Sequence, residues 1–192
     1  MIEILKAHII SKLGSNQGSI ENLELVLECF KPMVVKRNEF LLREGEVCKQ
    51  VYFIAKGCLQ VFVYDIEMNE TTRDIVVEQN WCSELMSFGS GNPATENIRT
   101  IEPCELLSID RQHFQAMLQQ VPQFDFFYKQ ILEQSYANSV YRINTFVSLS
   151  ALDRIKWLMD KRPELMTRVS SKIIASYLGI NKDVFSRLKG KL

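Results

Sequence analysis

The residues of this sequence with the clearest chemical capacity are the lysines and arginines of its last quarter. From Arg142 to Leu192 there are eleven Lys or Arg against four Asp or Glu, a local charge of +7; residues 1–141 carry −7, so the formal net charge of zero conceals a division. A cationic segment on an acidic body suits a polyanion, because neutralising phosphates releases condensed counterions and gives affinity independent of base sequence. An ordinary solvated surface has the same composition, so the local sequence must separate the two readings.

Other chemistries find little support. Cys29, Cys48, Cys58, Cys82 and Cys104 are odd in number, well separated and without CxxC spacing, which points to buried reduced thiols rather than disulfides or zinc. His8 and His113 are the only histidines, and none lies between Met33 and Ile109, so a cupin-like metal enzyme would lack its ligand cluster. A haem sensor would have to use His8 or His113, although a lone His on a helix is more often structural. No Ser, His and Asp arrangement is evident, and GSGN at 89–92 lacks the Lys and helix start of a phosphate-cradling loop. The sequence predicts a protein that binds rather than catalyses, with no cofactor and no metal.

The elements that must position the basic residues follow from pattern. With 46% hydrophobic and 24% charged residues, and no apolar run near the roughly 18 residues of a membrane span, the chain reads as soluble and globular. The opening MIEILKAHIISKLG reads as a short amphipathic helix without the marks of a secretory signal, so a cytoplasmic location is expected. From Lys31 to Asp110 the segments KPMVV, EFLLR, QVYFIAK, LQVFVYD, RDIVVE, ENIRTIE and CELLSID alternate with turns, predicting a roll of about eight short strands. Lys56-Gly57 sits at hairpin distance between two of them.

After Asp110 the period changes. Phe114, Met117, Leu118 and Val121 share a helical face, and Pro122 is suited to open a second helix that runs to about 147 without Gly or another Pro. Phe124, Tyr128, Leu132, Tyr136, Val140, Ile143 and Val147 form one apolar stripe expected to suit the roll. Phe127, Ile131 and Phe146 lie on another side, expected either to meet the same helix of a second chain or to be buried within one chain.

The carboxyl end divides again. SALDRIKWLMDKR reads as a helix with Leu152, Ile155, Trp157, Leu158 and Met159 as core, closed by Pro163. In RVSSKIIASYLGINKDVFSRLKGKL, Ser170 or Ser171 can cap a helix carrying Ile173, Ile174, Ala175 and Leu178. Gly179 stops it, Asn181 starts another, and Val184, Phe185 and Leu188 give that one an apolar side. This punctuation is that of a helix-turn-helix.

Over nearly its whole length the chain resembles the Crp/Fnr family, that of the cyclic AMP receptor protein and the fumarate and nitrate reduction regulator. SSKIIASYLGINKDVFSRLKGKL is similar to the family's capping Ser or Thr, "IA..LG" helix and "..E.V.R" recognition helix. REGEVCKQVYFIAKGCLQVFV resembles its "..G......Y.I..G...V" roll signature, with Gly45 and Gly57 at the turns. The resemblance implies that Lys182, Asp183 and Arg187 face base edges in the major groove, and their chemistry agrees. Arg pairs bidentately with guanine, a carboxylate accepts from cytosine, and Lys serves guanine or phosphate. Asp183 in a first helical turn is also favourable without DNA. Lys172, Lys189 and Lys191 are expected at phosphate, and Ser170 belongs to the same DNA-contacting set.

The sequence departs from the family at the ligand. Ser83-Glu84-Leu85 aligns with the "GEL" turn of the nucleotide cassette, but Ala94-Thr95 stands where the family has an Arg-Ser or Arg-Thr pair that grips the cyclic phosphate. Without that fork a buried phosphate loses its bidentate partner, and Glu84 adds repulsion, so cyclic AMP is not expected to bind. Arg99 has the parity opposite to position 94 in an unbroken strand and is not expected to substitute. Glu84, Leu85, Thr95 and Arg99 are the candidate effector-pocket residues. Only Cys29 precedes Cys48, so the family's iron-sulfur branch is not expected. No wing hairpin follows the recognition helix in this sequence, so fewer DNA contacts are expected.

The expected fold is thus α+β: a double-stranded β-helix (jelly-roll-like) sensor at 1–121, a dimerisation helix at 122–147 and a helix-turn-helix domain at 148–192. The expected function is a homodimeric regulator of transcription that binds near-palindromic double-stranded DNA, responds to an unidentified small-molecule effector and contacts RNA polymerase, with no membrane association. The alternative is a ligand-binding module, for a cyclic nucleotide or another small molecule, without DNA binding.

Overall fold

The computed structural model describes residues 1–13 and 22–192. Strands β1 (Lys31–Val35), β3 (Gln50–Lys56), β6 (Trp81–Cys82) and β8 (Cys104–Asp110) form an antiparallel sheet in the order β1-β8-β3-β6. β3 and β8 pair from Gln50 opposite Asp110 to Lys56 opposite Glu105. Val51, Tyr52, Phe53, Ile54, Leu106, Leu107 and Ile109 are all buried, so these strands have covered faces on both sides. That explains their continuous rather than alternating hydrophobicity.

A second sheet has the order β2-β7-β4-β5, from Phe40–Leu42, Asn97–Thr100, Leu59–Tyr64 and Glu70–Val76. The β3–β4 turn needs glycine: Gly57 has φ +109, and a β-carbon there would lie 2.5 Å from Cys104 Sγ. Short α3 (Leu85–Ser90) interrupts the roll between β6 and β7.

Helices α1 (Ile2–Leu13), α2 (Leu23–Glu28) and α4 (Arg111–Gln120) and the start of α5 (Pro122–Ser148) complete this core. On α1 the residues Leu5, His8, Ile9 and Leu13 are buried at helical spacing, and the helix contacts β3. His8 lies among Phe53, Trp81 and Phe127, with Trp81 Nε1 donating to its Nε2 at 3.4 Å. Asp110 caps α4 by accepting the His113 N–H at 2.9 Å, which holds its carboxyl below the usual range. Pro122 is the first residue of α5, where its missing N–H costs nothing.

The chain divides into two compact units, Met1–Val61 with Ile75–Glu133, and Phe62–Asp74 with Gln134–Leu192. The division runs through β4, β5 and α5. Within the second unit, α6 (Ala151–Lys161), α7 (Leu165–Arg168), α8 (Ser171–Tyr177) and α9 (Lys182–Lys189) pack around Ile155, Leu158, Leu165, Ile174, Leu178 and Phe185. Ser150 caps α6 and Pro163 follows it.

Some local expectations are corrected. Of the two alternatives for the side that carries Phe127, burial within one chain holds at that residue, which is only 2% exposed inside the first unit's core, whereas Tyr136, Ile143 and Val147 of the stripe expected to suit the roll are 73%, 61% and 82% exposed. Phe124, Phe127 and Ile131 share a side at i, i+3 and i+7, so the opening turns of α5 bury them together; beyond Glu133 the helix belongs to the second unit. Met159 is exposed rather than in the core. The strand read as RDIVVE starts earlier, at Glu70, and β6, α2, α3 and α7 were not legible as periodic runs because each has six or fewer residues. Four cysteines are buried, but Cys29 is only half-buried. Gly14, at the end of the expected opening helix, lies outside the described residues.

Candidate nucleic-acid interface

Two caps and one glycine shape the carboxyl-terminal helix pair. Ser170 Oγ accepts the Ile173 N–H at 3.4 Å and so opens α8. Gly179, with φ +63, ends it, and Asn181 Oδ1 accepts the Asp183 N–H at 2.8 Å to open α9. Phe185 is fully buried, with Val184 and Leu188 half-buried beside it. That anchoring fixes the rotation of α9.

With that face turned in, Lys182, Asp183, Ser186, Arg187 and Lys189 are all exposed. Lys182 and Ser186, and Asp183 and Arg187, stand four residues apart, which makes one polar face with a cationic fork, a carboxylate and a hydroxyl. Ser186 belongs to this face although the sequence reading passed over it; its i+4 spacing from Lys182 was the available signal. Ser171 and Lys172 are exposed at the start of α8, and Lys191 follows α9, also exposed. Such a face can donate to guanine and phosphate and accept from cytosine. Ser170 is committed to its cap through a lone pair; its hydroxyl proton remains available to a phosphate oxygen.

The residues singled out in the roll do not converge in the same way. Glu84 is 5% exposed and caps α3, its Oε2 accepting the Ser87 N–H at 2.6 Å. Leu85 and Thr95 face solvent. Ala94 is buried, exchanging backbone hydrogen bonds with the 45–46 turn: its N–H reaches Glu46 and its carbonyl accepts from Gly45, both at 2.8 Å. Arg99 donates to Gln60 at 2.8 Å, while its neighbour Ile98 faces the core.

Sequence reasoning missed Arg111, whose Nη2 donates to Ser87 O at 2.7 Å and Cys48 O at 3.0 Å and ties α3 to the 48–50 segment. Its place next to the α4 cap Asp110 was the only signal. Ser87 Oγ completes this network by donating to Asn92 O at 2.5 Å and accepting the Cys48 N–H at 2.8 Å.

Residues 32–121 match the family model for the cyclic nucleotide-binding domain. The chain is similar to the cAMP-activated global transcriptional regulator CRP of Pasteurella multocida, 22% identical over 158 residues, which cover 77% of this chain and 76% of that protein. In fold it is similar to the c-di-GMP-responsive global regulator CLP of Xanthomonas campestris, with a TM-score of 0.71, 18% identity and coverage of 88% and 90% of the two chains. It is likewise similar to a protein of Eubacterium rectale assigned to the Crp/Fnr family of transcriptional regulators, with a TM-score of 0.70, 13% identity and coverage of 88% and 80%.

Proposed function

We propose that this chain, which matches the cyclic nucleotide-binding domain over residues 32–121 and is similar to regulators of the Crp/Fnr family, is a DNA-binding transcription regulator that reads a near-palindromic operator as a homodimer. The observation that carries this reading is the exposed polar face of α9. Phe185 locks the helix from behind while Lys182, Asp183 and Arg187 stay exposed. The surrounding +7 segment supplies phosphate affinity through Lys172, Lys189 and Lys191.

The homodimer reading rests on α5. Tyr136, Val140, Ile143 and Val147 follow a 4-3-4 spacing and are exposed, the pattern of a helix seam that a second copy would cover. A two-fold dimer presents two recognition helices to half-sites about one helical turn apart. The effector of the roll is a small molecule other than cyclic AMP, because Ala94 gives a phosphate no cationic fork and Glu84 is already engaged as a helix cap. RNA polymerase is the expected partner at a promoter, and the protein works in the cytoplasm. No described helix is long and apolar enough to cross a membrane.

Selection from a pool of random duplexes at low salt tests the reading. Enrichment of near-palindromic sites by a dimer is expected. A dimer that retains no duplex would sink it, and would leave the roll as a ligand-binding module.

A further inference from the structure

Strand β5 is the last strand of its sheet, and an edge strand presents backbone groups that need partners. In the second unit these partners are side chains from the helices. Ser176 on α8 accepts the Thr72 N–H at 2.8 Å and donates to Glu70 O at 3.0 Å. Arg142 on α5 donates to Arg73 O, to Thr72 O at 3.3 Å and to Tyr177 O at 2.8 Å. Its guanidinium carbon also lies 3.9 Å from the Tyr177 ring centroid and 5.2 Å from that of Phe146.

One side chain therefore holds an edge strand and the end of the first helix of the helix-turn-helix at once. Tyr177 O belongs to the last residue of α8, where carbonyls lack helical partners, so a cation there satisfies both a hydrogen bond and the helix dipole. Only a planar fork can reach three carbonyls while stacking on an aromatic ring; a lysine ammonium has neither the span nor the flat face. Burial disfavours the charge, and Tyr177 and Asp74 compensate against the repulsion of Arg73.

We propose that Arg142 is the positioning residue of the recognition unit: with Ser176 it docks α8 on the edge of β5 and so fixes the direction in which α9 presents its polar face. This deepens the DNA-binding reading and rests on it. α9 is joined to α8 through only Leu178 to Asn181, so any tilt of α8 is passed on to α9. The polar face of α9 stays exposed in this arrangement, which makes the docked state the one able to meet DNA.

Arg142→Lys and Ser176→Ala in the whole 192-residue chain test the proposal, with Arg187→Ala as a variant outside the docking contact. Amide exchange by NMR should accelerate at least tenfold at Thr72 in the first two variants and not in the third. Residual dipolar couplings of β5 and α8 amides, fitted by one alignment tensor in the wild type, should then require two. Affinity for a selected duplex should fall about tenfold in the docking variants while base preference and salt slope stay unchanged, a combination that loss of a direct contact does not give. Wild-type exchange and a single tensor in both docking variants would overturn the docking. Faster exchange with undiminished affinity would overturn the positioning role. Should the wild type bind no duplex at all, the regulator reading falls, and with it the role toward DNA, while exchange and couplings still decide the docking.

Discussion

Phe146 packs against Gly179: a β-carbon added at the glycine would come within 2.6 Å of Phe146 Cε1. The turn of the helix pair is thereby closed by a ring from the far end of α5, with Arg142 and Arg154 placed 5.2 and 5.1 Å from that ring's centroid. Gly179 also has φ +63, so two independent constraints meet at one residue.

Gly179→Ala is therefore expected to destabilise the second unit. The left-handed conformation alone costs an alanine roughly 1–2 kcal/mol, and the displaced phenyl ring adds to it. Urea unfolding followed by Trp157 fluorescence measures the loss. A neutral substitution would show that the turn relaxes freely.

Arg187→Ala and Lys172→Ala should fail in different ways. Loss of a bidentate guanine contact removes about 1–3 kcal/mol of discrimination and relaxes one base position. Loss of a phosphate contact weakens all duplexes alike and lowers the salt slope by about 0.9. Affinities measured over several salt concentrations separate the two; a flat base preference unaffected by Arg187→Ala would remove that residue from the reading surface.

Ile143→Glu places a charge in the exposed seam of α5 at a position 61% exposed, where the isolated chain loses nothing. Sedimentation should show monomer in place of dimer, with the roll still folded. A variant that remains dimeric would move the interface elsewhere.

His8 gives the fold an acid limit. Burial, and secondarily Lys12, hold its pKa below the ordinary imidazole value, so the unfolded chain binds the proton more readily than the folded one. Its contribution is fully present above about pH 6.5 and is lost as pH falls from there through the lower folded value. An imidazolium also cannot accept the Trp81 N–H that now reaches Nε2. Urea midpoints should drop between pH 7 and 5 in the wild type, and His8→Gln should flatten that slope; parallel curves would count against His8.

Cyclic AMP should leave the melting temperature unchanged, since a ligand raises it only by binding the native state. A saturable shift in a thermal-melt titration would show that Arg99 or the α3 amides replace the missing arginine. Given the Arg99 to Gln60 hydrogen bond, no shift is expected.

How much of this was written in the sequence depends on the range of the interaction involved. Strands such as QVYFIAK and CELLSID, the Ser170 and Asn181 caps, Pro122 at the head of α5 and the stop at Gly179 are local: each is set by side-chain period, by φ or by a hydrogen bond a few residues long. The polar face of α9 followed from the same rule, since Phe185 must turn inward. Short elements such as α3 gave no periodic signal, and the burial of Glu84 as its cap could not be read from an aligned turn.

Only the tertiary structure decided which part of α5 is buried, because Phe127 and Ile143 are both apolar in sequence and differ in what lies beside them. It also decided that Arg142, one of eleven cations in the basic segment, spends its charge on backbone carbonyls of Thr72 and Arg73, some seventy residues away in the chain. Local preference fixes what a residue can do over a few turns of chain; partners that distant meet only once the chain has closed on itself.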